Sequence, residues 1–249
     1  MPKPLKFLAF DTSTDQLSVA LTDGVRVWQH SGPGGALAST TLIPAILALL
    51  ADAGLALGDL DAIAFGRGPG SFTGLRTACA VAQGLALGAN HGAGIAVLPI
   101  DTLMAVAEEA RFRRADADAP FTVTALLDAR MSEMYVQTYE FSGGRWRARQ
   151  ECALIRPEDL APVPATALLA GNVFGVYADR LPAGLAAFDQ TEALPTATAM
   201  LRLAPALAAA GHCVEAALAL PLYIRDKVAL TTDERARIKA LAADLSNAA

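Results

Sequence analysis

Cysteine and histidine are both scarce in this chain of 249 residues. The three cysteines, Cys79, Cys152 and Cys213, lie far apart and form no CxxC pair, and the three histidines have no spacing typical of a metal site. An odd number of scattered cysteines argues against a disulfide framework, so we expect a reduced, cytoplasmic setting. The sequence also lacks an HExxH pattern and therefore offers no ligand set for a zinc metallopeptidase.

Positive charge is also in short supply. The chain has 20 Lys and Arg against 25 Asp and Glu, which gives a formal net charge of −5. Because phosphate neutralisation needs clustered cations, we expect it to bind nucleic acid poorly on its own. Two basic spots, at residues 111–114 and 145–149, are interpreted as solvated edges. Pro, Gly or charge interrupts every long apolar run, so we predict no transmembrane helix.

The glycine-rich stretch GRGPGSFTGLR, Gly66–Arg76, fits no standard nucleotide or nucleophile motif. It is neither a Walker A sequence nor GxGxxG, and it provides no GxSxG elbow. Two interpretations stay open: its backbone amides face an anion at a helix N-terminus, or it is a tight turn with Ser71 or Thr73 capping a closely packed helix. We favour the second, in which the loop orients its helix.

A hairpin with an Asp at its tip occurs twice in the sequence. Strands are predicted at 7–10 and 17–21 around Asp11, and again at 121–127 and 134–139 around Asp128. The two segments align without a gap, which indicates internal duplication. Each Asp either manages a cation or water, or forms an Asx turn with its own backbone. For Asp11 the two readings weigh equally, and for Asp128 the turn is favoured.

The remaining elements alternate in the manner of α/β units. Further strands are predicted at DAIAF, GIAVLPI, ALLAG and PLYIRD. Helices are predicted at 40–53 with a Ser39 or Thr40 cap, from the glycine loop to about 87, at 196–210 with a kink or break at Pro205, and after a Thr231 capping box.

Two tandem α/β units, each opening with the same hairpin, are typical of the actin-like/sugar-kinase/Hsp70 (ASKHA) fold, in which two subdomains face a cleft. We place the boundary near Thr102. The predicted divisions are an N-terminal subdomain at 1–102, a C-terminal subdomain at 103–226 and a helical tail at 227–249.

The motifs AFDTST, GRGPGSFTGLR, LLDARMSEMY, AGN and YIRD occur in this order, and with them the chain resembles the TsaB (YeaZ) family up to about Asp226. The resemblance implies a noncatalytic bacterial subunit for making threonylcarbamoyladenosine on tRNA. It implies a homodimer, a heterodimer with the catalytic paralogue TsaD, and a complex with the ATPase TsaE, through which tRNA is reached. Related sequences often carry a glycoprotease label.

The resemblance also locates what this chain lacks. In the catalytic paralogue an HxxxH metal site follows the strand that ends the first half, and here Thr102 and Val106 occupy the two histidine positions. A hydroxyl and an isopropyl group cannot replace two imidazoles, so we expect no metal. No cofactor is expected to be required, although weak ATP or ADP binding with Mg is expected. The candidate nucleotide-binding residues are Asp11, Thr12, Ser13, Gly68, Gly70, Asp128, Gly171 and Asn172.

The helices at 40–53 and after the glycine loop are apolar nearly all round, which is typical of helices buried on both sides. One side can pack on the chain's own sheet, and we expect the other to meet a partner. The alternative is complete cover within one chain. Within the resemblance these helices match the dimerisation surface. The predicted interface residues are Leu42, Ile46, Leu49, Leu75, Ala78, Ala82 and Leu85.

Three functions follow from these patterns, in decreasing order of support. The first is a scaffold subunit that activates TsaD. The second is an ATP-dependent small-molecule phosphotransferase of the ASKHA fold, supported by Asp11, Asp128 and the glycine loop but lacking a recognisable catalytic-base motif. The third is a glycoprotease-type metallopeptidase, for which the ligands are missing.

Overall fold

A computed structural model describes residues 4–114, 116, 119–161, 164 and 167–225. Its first half is built on a five-stranded sheet with the order β3-β2-β1-β4-β5. The pairs β1–β2 and β2–β3 are antiparallel, whereas β4 and β5 add to β1 in parallel. The strands are β1 (Phe7–Asp11), β2 (Gln16–Thr22), β3 (Val27–Pro33), β4 (Ala62–Gly68) and β5 (Ala96–Asp101).

The second half forms another mixed sheet, with the order β11-β10-β6-β7-β8, and β9 also pairs with β7. Here too the first two strands form an antiparallel hairpin, and the later two add to its first strand in parallel. The strands are β6 (Phe121–Arg130), β7 (Glu133–Ser142), β8 (Arg145–Ala148), β9 (Ala153–Ile155), β10 (Ala167–Gly171) and β11 (Gln190–Glu192).

The two sheets thus share one topology, which supports the predicted duplication. They differ in what covers them. On the first sheet, α1 (Ala38–Ala53) and α2 (Phe72–Gly88) follow β3 and β4 and bury one face in a common core. At the corresponding places in the second half, the described residues form only short 3-10 turns, Pro157–Asp159 and Ala183–Ala187.

The other two helices, α3 (Thr102–Phe112) and α4 (Ala197–Ala209), pack against each other, and each packs on the sheet of the other half. The helix α3 follows the first sheet but packs on the second, next to β6. The helix α4 follows the second sheet but packs on the first, next to β1 and β2. Arg202 of α4 bonds to the buried carboxylates Glu108 and Glu109 of α3 at 2.9 and 2.8 Å, which ties the two helices together.

Local signals explain three of the eight ends of the four described helices. Gly54 adopts a left-handed conformation (φ 66°) that ends α1, as glycine does at many helix C-termini. Ser71 accepts a hydrogen bond from the Gly74 amide and caps α2, so the predicted Ser71 cap is confirmed. Thr196 caps α4 by accepting from the Ala199 amide at 3.1 Å.

Several predicted elements differ from the structure. The helix α1 begins at Ala38, and neither Ser39 nor Thr40 caps it, because their hydroxyls donate backwards to carbonyls in the preceding turn. The helix α4 continues through Pro205 to Ala209. The predicted strand PLYIRD is wrong for its described residues 221–225, which belong to no sheet. The capping box at Thr231 lies outside the described residues.

The stretch Gly35–Ala53, which contains α1, is long and apolar enough to cross a membrane by length and composition alone. Its buried residues, among them Leu42 and Ile46, pack into the core over the first sheet. A core helix passes the same test of composition, and α1 is packed as one.

Candidate functional site: the cleft between the two hairpins

The tip of the first hairpin is organised around Asp11, which is fully buried. Its Oδ1 accepts hydrogen bonds from the Ser13 amide at 2.8 Å and from the Ser13 hydroxyl at 2.6 Å. Its Oδ2 has no partner among the described residues. Burial therefore raises the pKa of Asp11 from 3.8 to about 6, and the two bonds from Ser13 oppose that rise. This geometry is that of an Asx turn.

The glycine loop packs directly on this tip. A Cβ at Gly66 would clash with Asp11 Oδ2, one at Gly74 with the Thr12 carbonyl, and one at Gly70 would lie 2.6 Å from Ser13 Cβ. Two hydrogen bonds join the same parts: Thr12 Oγ1 donates to the Gly74 carbonyl at 2.7 Å, and the Ser71 amide donates to the Ser13 carbonyl at 2.7 Å. The glycines thus permit close approach, which supports the interpretation that the loop orients α2.

The second tip repeats the Asx turn. Asp128 Oδ1 accepts from the Arg130 amide at 2.8 Å, two residues on, as Asp11 does with Ser13. It also accepts from the Tyr177 hydroxyl at 2.6 Å, and burial together with this bond raises the pKa of Tyr177 to about 12. Asn172 Oδ1 in turn accepts from the Asp128 amide at 2.8 Å. Hydrogen bonds to both the backbone amide and the carboxylate of Asp128 thus fix its position.

Between the two tips lies a cavity of about 320 Å³, within the size range of small-molecule sites. Ser13, Gly70, Asp128 and Asn172 line it. Its lining carboxylates, Asp15 and Asp128, are both paired with Arg130, the first as a salt bridge between the two hairpin tips and the second at 3.3 Å. The cleft is therefore bridged by an ion pair that the sequence analysis did not identify.

A segment near the end of the described chain forms another wall of the cavity. Residues 219–225, hereafter the strap, run from α2 to the second hairpin, and Leu222, Tyr223, Ile224 and Arg225 line the cavity. Sequence reasoning picked out YIRD as a motif but predicted a strand. Tyr223 and Arg225 were therefore missed as cleft residues, although the motif itself marked their position.

The structure brings four of the eight predicted nucleotide-binding residues to the cavity wall and leaves the others behind it. Asp11 and Thr12 are buried in the first tip. Gly68 lies under the strap, where a Cβ would come 2.5 Å from the Leu222 carbonyl oxygen. Gly171 lies against the Leu126 carbonyl of the neighbouring strand. Asp11 is therefore buried within the hairpin tip, and its side chain does not line the cavity.

The two positions predicted to lack metal ligands lie at the start of α3. Thr102 and Val106 are both fully buried, one turn apart. Val106 packs in the core between α3 and the second sheet. Within the described residues, no group of three or more His, Cys, Asp or Glu side chains is arranged to hold a metal ion.

The predicted interface residues require a correction. Leu42, Ile46, Ala78 and Ala82 are fully buried because they pack in the chain's own core, and Leu75, which is 1% exposed, lines the cavity. Leu49 is also buried in that core, and Leu85 is partly buried against it. The six buried residues form the inner faces of α1 and α2 and present no surface to a partner, whereas Leu85 stays partly exposed. The helical spacing was right, but the face assigned to the partner was wrong.

The outer faces of the same two helices are exposed and largely apolar, and we call them together the α1–α2 face. Ile43, Leu47 and Leu87 are 43%, 53% and 58% exposed, respectively. Ala80 and Gly84 lie exposed between the larger side chains of α2. Exposed apolar surface of this kind is typical of protein–protein contact sites.

Comparisons with known proteins agree on one group of relatives. Residues 37–233 match the model of the family described as "TsaD: tRNA N6-adenosine threonylcarbamoyltransferase". The chain is 33% identical to the tRNA threonylcarbamoyladenosine biosynthesis protein TsaB of Escherichia coli K12, over 90% of this chain and 96% of that protein. It is 35% identical to TsaB of Haemophilus influenzae, over 90% and 95%. The crystal structure of YeaZ from Pseudomonas aeruginosa superimposes with a TM-score of 0.78 at 38% identity, covering 88% of this chain and 99% of that one.

Proposed function

This chain belongs to the TsaB (YeaZ) family of tRNA threonylcarbamoyladenosine biosynthesis proteins, and from that premise we propose that it is a noncatalytic, cytoplasmic scaffold subunit that pairs with TsaD. We assign both halves to the ASKHA fold, because each opens with an Asp-tipped hairpin and each sheet has the same strand order. The tRNA and the ATPase TsaE are reached through the complex.

One observation carries the noncatalytic role. At the start of α3, where the catalytic paralogue is expected to hold its HxxxH metal site, this chain has Thr102 and Val106, both fully buried. Neither side chain offers an imidazole, and both lie inside the protein, away from any ligand in the cleft.

The α1–α2 face supports the scaffold role. It presents large side chains such as Leu47 and Leu87 beside small ones such as Ala80 and Gly84, so that a partner helix could approach closely. We propose that this face forms the homodimer in the free protein and that TsaD competes for it.

The cleft supports weak binding of ATP or ADP with Mg at most. The carboxylate of Asp11, which was predicted to lie near the cation, accepts its hydrogen bonds within its own hairpin. Arg130 forms ion pairs with both carboxylates that line the cavity. The same facts weaken the phosphotransferase alternative, because a catalytic base must reach the reacting hydroxyl. We keep that alternative as the second candidate, on the strength of the cavity between the hairpins.

The experiment is reconstitution of the modification reaction. TsaD and TsaE are incubated with tRNA, ATP and a threonylcarbamoyl donor, with and without this protein, and modified adenosine is quantified by mass spectrometry. We expect modification to depend on the added chain, while the chain alone shows neither ATP turnover nor peptidase activity. Turnover by the chain alone, with no effect on TsaD, would favour the phosphotransferase.

A further inference from the structure

The strap begins at a firm anchor on α2. The Ala219 carbonyl accepts hydrogen bonds from Cys79 Sγ at 3.0 Å and from Gln83 Nε2 at 2.9 Å, and Ala219 itself is fully buried. Its neighbours point outward: Leu218 and Leu220 are 64% and 63% exposed. The anchor therefore places two exposed leucines beside α2, next to the α1–α2 face.

Beyond the anchor, the strap crosses the glycine loop of the first half. The Leu222 amide donates to the Arg67 carbonyl at 2.7 Å. The ring of Tyr223 lies 5.1 Å from that of Phe72, and its hydroxyl accepts from Arg76 Nε at 3.1 Å. These contacts fasten the strap to the first turn of α2.

The strap then reaches the second hairpin through Arg225. Its Nη2 pairs with Glu133 Oε2 at 2.6 Å and also donates to the Arg130 carbonyl at 3.3 Å. Its Nη1 contacts the Met131 sulfur at 3.1 Å. The strap thus joins the two halves across the cavity that it helps to enclose.

The strap is held more firmly at its start than where it covers the cavity. Within the described residues it belongs to no strand, and a single hydrogen bond joins its backbone amides to the loop beneath, that of Leu222. Segments with few backbone bonds and few buried apolar contacts open at low free-energy cost. The anchor at Ala219 is packed in the core, whereas the part over the cavity is held by the one Leu222 amide bond and by side-chain contacts, among them partly buried Ile224.

We propose that the strap is a lid on the cleft, hinged at Ala219, and that a partner docked on the α1–α2 face holds it closed. A partner next to α2 meets Leu218 just before the hinge, and it meets Leu220 where the closed strap presents it. A ligand that contacts one conformation selectively shifts the population toward it. The coupling rests on the proposed function, because it requires that TsaD docks on this face; the lid does not.

The first test uses the free protein and hydrogen exchange of the Leu222 amide, measured by mass spectrometry on overlapping peptides. Arg225→Ala is expected to speed this exchange about tenfold or more, the change expected when a charge-assisted hydrogen bond is lost. Arg149→Ala, which removes the exposed pair with Glu140 on the second sheet, outside the cavity lining, is the matched control and should leave it unchanged. Equal exchange in Arg225→Ala and the original protein would overturn the lid.

The second test adds purified TsaD at saturating concentration. We expect slower exchange of the Leu222 amide in the complex, and we expect Leu218→Ser combined with Leu220→Ser to abolish the slowing while the complex still forms. A complex that forms without slowing the exchange would refute the coupling and leave the proposed function standing. Failure of any complex to form would refute both the coupling and the proposed function, whereas the lid would still be judged by the first test.

Discussion

Gly84 offers the sharpest test of the partner surface. It lies on the exposed side of α2, and a Cβ added there would meet no atom within 4 Å. Glutamate therefore fits without displacing anything in the free subunit. It also replaces the poorest ordinary helix former, which stabilises the helix by about 0.5 kcal/mol. We expect the Gly84→Glu subunit to fold like the original one, with an unchanged circular dichroism spectrum.

At an interface the same glutamate is costly. A partner seated on the α1–α2 face would bury the carboxylate without a counter-ion, at a cost of about 3–5 kcal/mol. Since 1.4 kcal/mol corresponds to a tenfold change in affinity, binding of TsaD should weaken by about two to three and a half orders of magnitude. Homodimerisation should weaken in parallel, and tRNA modification should fall at subunit concentrations near the original Kd.

Two further variants complete the comparison. Ala82→Glu, on the inner face of the same helix, would place a carboxylate in the core, where Ala82 is fully buried, and we expect it to unfold the chain. Gly175→Glu adds the same charge at an exposed, open position in the second half and should bind normally. The assays are circular dichroism, light scattering and titration of TsaD. Gly84→Glu with unchanged dimerisation and unchanged TsaD affinity would place the partner surface elsewhere.

Three other predictions concern Asp11 and the ligands of the chain. Because the pKa of Asp11 is about 6 when folded and near 3.8 when unfolded, its stabilising contribution is full below pH 3.8 and is lost as pH rises through 6, by about 3 kcal/mol. Urea unfolding of Asp11→Asn between pH 4 and 7 should lack this decline, and parallel profiles for variant and original would contradict it. ATP and ADP should bind with Kd no tighter than about 1 μM, or −8 kcal/mol, without turnover by the chain alone; calorimetry giving nanomolar binding would be a contrary result. With Thr102 and Val106 at the ligand positions, elemental analysis of untagged protein should find no stoichiometric zinc or iron, and near-stoichiometric metal would overturn this prediction.

The hairpins could be predicted because each carries its information locally. Alternating apolar residues and a run of turn formers around Asp11 and Asp128 specify strand, turn and strand, and the structure has strands at both places. The equal weight given to the two roles of Asp11 could not be resolved in the same way. Which role applies depends on Gly66 and Gly70, far along the chain, which pack against the tip and bury it.

The partner face could not be predicted because a helix that is apolar on all sides has no polar face to show which side is turned to solvent. Leu42 and Ile43 are adjacent and similar in the sequence, yet one is fully buried and the other is 43% exposed. The choice between them is made by the sheet beneath α1, whose position follows only from the fold. The strap escaped prediction for a related reason, since Tyr223 and Arg225 find their partners in α2 and at the start of β7, which are distant along the chain.

Because α3 and α4 each pack on the sheet of the other half, the first sheet cannot be fully covered until the second half has been synthesised. The inner surface of the first sheet, including Ala9 and Ala64, is covered by α4, which ends at Ala209. A ribosome releases the N-terminal half first, so this surface stays open to water and to chaperones until nearly the whole of the second half has emerged. The two halves therefore mature together, and a fragment cut after β5 would keep α1 and α2 on one face of the first sheet but expose the apolar face that α4 covers.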